Sequence, residues 1–187
     1  MTAMAAAVGV VLAAGAGTRF GMPKVLAAQG EWLRGAVEAL ARGGCSDVLV
    51  VLGAAVVDPP PPARAVPAPR WQEGLSASLR AGLAAAADTA AGYAVLHTVD
   101  TPDVGSDVVA RVLDAARAAP AGIARARYGE RPGHPVVVAR EHWTAIVSEA
   151  RGDAGAGPFL SRRDDVLLVD CEDLATGVDI DQNIDPV

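Results

Sequence analysis

The apolar run Val8 to Leu12 passes directly into Ala-Ala-Gly-Ala-Gly-Thr-Arg-Phe-Gly-Met-Pro-Lys, which ends at Lys24. An unbroken apolar strand opening into a glycine loop constrains the fold more than any other stretch. Strands buried on both faces belong to parallel sheets covered by helices, so the chain opens on a β-loop-α unit. Glycines let a backbone take positive φ and approach a ligand closely, and their N–H groups can converge on phosphate oxygens. Arg19 and Lys24 are cations inside an otherwise small, neutral loop. Together these features point to a nucleoside triphosphate.

Spacing separates this loop from two others. The dinucleotide fingerprint G-x-G-x-x-G is followed about 20 residues on by an acidic residue closing the second strand. Here the glycines are Gly15, Gly17 and Gly21, one residue too long, and the next strand, Val48 to Leu52, runs into Gly53. An NAD-binding Rossmann protein is therefore disfavoured. A Walker A loop needs lysine and a hydroxyl directly after its last glycine, whereas Gly21 is followed by Met22-Pro23-Lys24. Pro23 also restrains Met22 from α geometry, so no helix is expected right after the glycines.

The string L-A-A-G-x-G-x-R-x-G-x-P-K resembles the signature of nucleotidyltransferases that share the GT-A-like fold. Within them it is most similar to the MobA-like NTP transferases, in particular the molybdenum cofactor cytidylyltransferases. The resemblance implies a nucleotide site at Leu12, Ala13, Ala14, Gly15, Ala16, Gly17, Thr18, Arg19 and Lys24. Arg19 and Lys24 would hold the β,γ-phosphates and act in catalysis.

Composition agrees. The 187 residues suit a single α/β domain with a substantial core. Hydrophobic residues make up 51% and aromatics only 4%, so the core must be Val, Leu and Ala. The net charge of −6 and the lack of a basic stripe exclude a general nucleic-acid binder. Cys45 and Cys171 form no C-x-x-C, which fits a reducing cytoplasm. The first residues lack a basic n-region, and no apolar run reaches the roughly 18 residues that span a bilayer. A cytoplasmic protein without a membrane partner is expected.

Periodicity predicts helices over Glu31 to Arg42, Ser76 to Thr89, Ser106 to Ala118 (capped by Ser106) and Glu141 to Ala150. Strands are expected at Val48 to Leu52, Tyr93 to Val99 and Val166 to Val169, and at Ile123 to Tyr128 and Pro135 to Ala139 joined by a Gly129-Glu130-Arg131-Pro132-Gly133 turn. Residues 58–69 are proline-dense and read as an extended surface connection, within which Arg64-Ala65-Val66 is a candidate edge strand. The fold class is a single-domain, three-layer α/β/α with a mostly parallel sheet and a mixed edge. Its nucleotide half covers about residues 8–104 and its acceptor half about 105–187.

Asp100, in Val99-Asp100-Thr101-Pro102, follows the strand from Tyr93, where open α/β sheets bind ligands. It is a candidate ligand for Mg²⁺, or Mn²⁺, which takes few carboxylates plus substrate phosphates. The resemblance gives the same role to Asp100. Asp179 and Asp181 alternate along the tail and would share a face if extended; either is a second candidate. The tail is similar to an Asp-Ile-Asp-Thr-Pro-Glu-Asp segment of the family, with Gln182-Asn183-Ile184 in place of Thr-Pro-Glu.

Trp71-Gln72-Glu73-Gly74-Leu75-Ser76-Ala77-Ser78-Leu79 resembles the W-x-x-G-[ML]-x-x-S-L motif of the cytidylyltransferase branch. Gly74 and Ser78 are expected at the base, with Ala13 and Ala14 acting through their backbones. The Ala-Ala-Gly form of the first loop favours CTP over GTP within the resemblance. Arg131-Pro132-Gly133-His134-Pro135 and Gly152-Asp153-Ala154-Gly155-Ala156-Gly157 resemble acceptor segments, so His134 and Asp153 are expected at the acceptor. Gly157 stands where the resembled loop has arginine, and Arg151, Arg162 or Arg163 are candidates to compensate. His97, inside an apolar strand, reads as core.

The resemblance implies transfer of CMP from CTP to an acceptor phosphate with loss of pyrophosphate. It implies molybdopterin as acceptor, and a molybdoenzyme or its chaperone as downstream partner. Sugar phosphates, polyol phosphates and 2-phospholactate stay open as acceptors, GTP as donor, and a non-catalytic nucleotide-binding or chaperone-like role as the alternative.

Overall fold

The computed structural model describes residues 4–181; Gln182 and everything after it, including Asp185, lie outside the described residues. Seven strands form one sheet: β1 (Ala7–Leu12), β2 (Asp47–Leu52), β3 (Arg64–Pro67), β4 (Tyr93–Thr98), β5 (Ile123–Tyr128), β6 (Arg131–Ala139) and β7 (Leu167–Asp170). Their order is β3-β2-β1-β4-β6-β5-β7. All pairs are parallel except those made by β6, which runs antiparallel to both β4 and β5. The helices are α1 (Glu31–Arg42), α2 (Leu75–Ala87), α3 (Ser106–Ala118), α4 (Trp143–Glu149) and α5 (Gly157–Ser161).

The three layers follow from the period-two alternation of the strands. In β1 and its extension Ala7, Val11 and Ala13 face one core, with Leu33, Val37 and Leu40 of α1 and Val109 and Leu113 of α3. Val8, Val10 and Leu12 face the other, with Leu79 and Leu83 of α2 and Ile146 of α4. Leu40, Leu79 and Leu113 are fully buried, so truncating any of them to alanine should cost about 2–5 kcal/mol. Arg64–Pro67 does pair, as an edge strand parallel to β2. Among the described residues no helix is long and apolar enough to cross a membrane.

Two local expectations need correction. Ser106 does not cap α3: Gly105 holds the cap position, and no side chain caps that helix. Arg131 to Gly133, expected in a turn, belong to β6, where Tyr128 pairs with Arg131 and Arg127 with Pro132. Over these residues β6 pairs only with β5, because its ladder with β4 covers Val136 to Ala139. Prolines are tolerated where one strand side carries no ladder.

Candidate active site

The loop after β1 is a closed turn. Gly17 has φ +62°, and a side chain there would run into the Met22 carbonyl, so only glycine fits. The Gly21 N–H donates to the Gly17 carbonyl (2.8 Å), and Pro23 then delivers Lys24 back toward the sheet. Two ladder-like bonds reach into the loop. Ala13 N–H donates to the Val51 carbonyl (3.1 Å), and Ala54 N–H donates to the Ala14 carbonyl (3.0 Å). The backbone groups left for a base are therefore the Ala13 carbonyl and the Ala14 N–H, one from each residue.

Lys24 meets the carboxylates at the mouth of this loop. Its Nζ lies 2.8 Å from Asp100 Oδ2 and 3.0 Å from Asp181 Oδ1. The tail is tied to the same point, because Ile180 N–H donates to the Asp100 carbonyl (2.9 Å). Burial pushes the Asp100 carboxyl up, but the Lys24 ammonium outweighs it and holds the group below the usual carboxylate range. Burial lowers the Lys24 pKa in its turn, and Asp100 and Asp181 together carry it above the ordinary lysine value. Asp179 behaves oppositely: its side chain stays exposed, but partial desolvation, then the negative charges of Asp100 and Asp181, push its carboxyl up.

Among the described residues Asp100, Asp179 and Asp181 do not form a ready-made metal cluster. The Lys24 ammonium bridges Asp100 and Asp181 where a cation was expected. The donor set nevertheless fits a hard divalent ion. Asp100 Oδ1 is buried with no hydrogen-bond partner, as is the Thr98 hydroxyl, and carboxylate oxygens are what Mg²⁺ and Mn²⁺ prefer.

The loop opens on a cleft of about 440 Å³, within the size range of small-molecule sites. Leu12, Ala13, Ala14, Gly15, Ala16, Gly17, Arg19, Lys24, Gly74, Ser78, Asp100 and Asp153 all line it, whereas Thr18 does not. Arg19 is exposed at the rim. Ser78 is only 4% exposed, which removes it from the helix surface. Trp71, Gln72, Leu75, Thr98 and Val99 complete the wall; the first three belong to the quoted motif, though only its glycine and second serine were expected at the base. Gly74 has φ +99° and backs directly onto Gly152 and the Asp153 carboxylate. Asp153 Oδ1 accepts from the Leu75 N–H (3.4 Å), so the side chain expected at the acceptor stands at the start of α2.

His134 lies outside the cleft, on a smaller cavity beside it. Burial, then the Arg125 guanidinium, pushes its imidazole down to about 4. It is a neutral ring at pH 7, not a cation. His97 is fully buried, and burial with nearby His134 pushes it down to about 3; as expected, it is core. The cation on this side is Arg125, which sequence reasoning missed. Its signal was alternation: in Ile123-Ala124-Arg125 the arginine shares the core-facing side of Ile123. None of the expected substitutes for the arginine missing at position 157 lines that cavity. Arg151 donates to the Ser148 and Ala150 carbonyls, while Arg162 pairs with Glu149 and Arg163 with Asp165.

A glycine turn after the first strand, with lysine and aspartate converging at the carboxyl end of a parallel sheet, defines a nucleotide-binding α/β protein. Residues 9–166 match the MobA-like NTP transferase domain, and the chain belongs to that family. It is 37% identical over 192 residues to nicotine blue oxidoreductase of Paenarthrobacter nicotinovorans, covering 92% of this chain and 91% of that protein. The crystal structure of Rv0371c from Mycobacterium tuberculosis H37Rv matches with TM-score 0.74 and 26% identity, over 96% of this chain and 94% of that one. The same mycobacterial protein in complex with manganese matches with TM-score 0.67 and 26% identity, over 94% of each chain.

Proposed function

We propose that this protein transfers CMP from CTP to the phosphate of a small acceptor, with release of pyrophosphate, and that the acceptor is molybdopterin. An acceptor phosphate oxygen attacks the α-phosphorus; the bond from that phosphorus to the bridging oxygen breaks, and pyrophosphate leaves with the electron pair. The acceptor is already ionised at neutral pH, so no protein nucleophile or strong base is needed. Catalysis then rests on positioning and charge stabilisation.

The observation that carries this reading is the Lys24 ammonium held between Asp100 and Asp181 at the mouth of the glycine turn. The turn's N–H groups and Arg19 would receive the β,γ-phosphates. Lys24 would leave the carboxylates for the phosphates, and its positive charge would meet the charge developing on the α-phosphoryl oxygens. Asp100, with Asp179 or Asp181, would hold Mg²⁺ or Mn²⁺; the manganese complex of the mycobacterial relative supports a divalent ion. That ion would neutralise phosphate charge and draw electron density from the α-phosphorus. Ser78, the Ala13 carbonyl and the Ala14 N–H would select the base. Pyrophosphate release from CTP and GTP, with purified molybdopterin as acceptor, tests the reading; release dependent on neither nucleotide would reject it.

The oxidoreductase relative favours a second reading, in which this protein catalyses a redox reaction instead of nucleotidyl transfer. Oxidation of NADH or NADPH by the protein in the presence of a quinone, without pyrophosphate release, would select it over nucleotidyl transfer.

A further inference from the structure

Beside the loop at Gly157 lies a cavity of about 120 Å³ that shares Leu12 and Leu75 with the nucleotide cleft. Against about 440 Å³ for the cleft, that is the scale of one small anionic group rather than of a nucleotide. Its walls are largely apolar, except where Arg125 of β5 and His134 of β6 meet it. Arg125 is half-buried; its Nε donates to the Gly133 carbonyl (3.0 Å), and no carboxylate among the described residues forms an ion pair with it. Burial pushes the Arg125 pKa down, and the negative charge of Asp179, in the tail, offsets that only in part.

A guanidinium in a largely apolar pocket, with no carboxylate among the described residues in contact with it, carries a desolvation cost that an incoming anion offsets. Its planar fork matches phosphate oxygens with two parallel N–H groups, and a neutral imidazole beside it can donate one more hydrogen bond. Gly157 lines the same cavity without a side chain, and the arginines nearest in sequence are engaged elsewhere. We propose that this cavity is the subsite for a phosphate monoester of the acceptor, and that Arg125 supplies the cation that position 157 lacks. The proposal deepens the nucleotidyl-transfer reading and rests on it.

The test titrates glycerol 3-phosphate, as a monoester probe, into the protein with Mg²⁺ and a non-hydrolysable CTP analogue filling the cleft. Binding in the unaltered protein should weaken at least tenfold in Arg125→Met and recover partly in Arg125→Lys, a variant that keeps the charge and guards against misfolding. Adding Gly157→Arg to Arg125→Met should restore binding from the opposite wall. Unchanged affinity in Arg125→Met would overturn the proposal, and so would failure of the unaltered protein to bind the probe while it binds the analogue. Binding of the analogue is read separately, in a titration without the probe. Its failure would overturn the functional reading, and this subsite with it.

Discussion

Lys24 Nζ lies 2.8 Å from Asp100 Oδ2, so two residues 76 positions apart in sequence form the polar centre of the cleft. Both side chains are largely buried, at 16% and 21% exposure, so the pair is more than a solvated surface contact. Lys24→Ala should lower turnover roughly 10²–10³-fold, the cost of removing a preorganised charge donor of about 3–4 kcal/mol. Steady-state pyrophosphate release checks this against a circular-dichroism control for folding. Near-normal turnover would remove Lys24 from the chemistry.

Asp179 makes the opposite kind of prediction. Its pKa is raised in the fold by partial desolvation and by Asp100 and Asp181, so its stabilising contribution, small for an exposed group, is present below the ordinary carboxylate pKa and lost as pH rises through the raised value. Asp179→Asn should therefore raise the thermal midpoint of the metal-free protein at pH 7, with the gain vanishing in acid. The same variant should bind Mn²⁺ more weakly in a titration. A lower midpoint at pH 7 would contradict the repulsion.

His97 and His134 set an acid limit. Both are pushed down, to about 3 and about 4, so their contribution is complete above the ordinary histidine pKa of about 6.5 and is lost as pH falls toward those values. Thermal midpoints measured between about pH 7 and pH 4 should fall, and fall less steeply in His97→Leu, which has one fewer group to charge. Parallel curves for the two proteins would count against it.

Gly17→Ala should abolish nucleotide binding. The position combines φ +62° with a clash against the Met22 carbonyl, so the turn that presents Lys24 must open. Calorimetric titration with CTP and Mg²⁺ reads this directly, and retained affinity would show that the turn does not need its closed shape.

What the sequence made legible is local. β1 and its loop follow from an apolar run, glycine stereochemistry and the restraint of Pro23, all of which act between neighbours. Lys24 and Asp100 were found separately, each from its own context; their contact is set by the parallel pairing of β1 with β4. Arg125 escaped because its meaning depends on which loop covers that face of the sheet. The position of Asp153 was not legible for the same reason: only tertiary packing brings it to the first N–H of α2. Arg131 to Gly133 read as a turn because Pro and Gly usually end strands, and a one-sided ladder lifts that restriction.

A crystal of the protein with a non-hydrolysable CTP analogue and Mn²⁺ tests the central claim most directly. The predicted result is a triphosphate along Gly15 to Gly17, an anomalous manganese peak on Asp100, and Lys24 Nζ moved from Asp100 to a phosphate oxygen. A nucleotide bound elsewhere, or an empty cleft with the Lys24–Asp100 pair intact, would contradict the account.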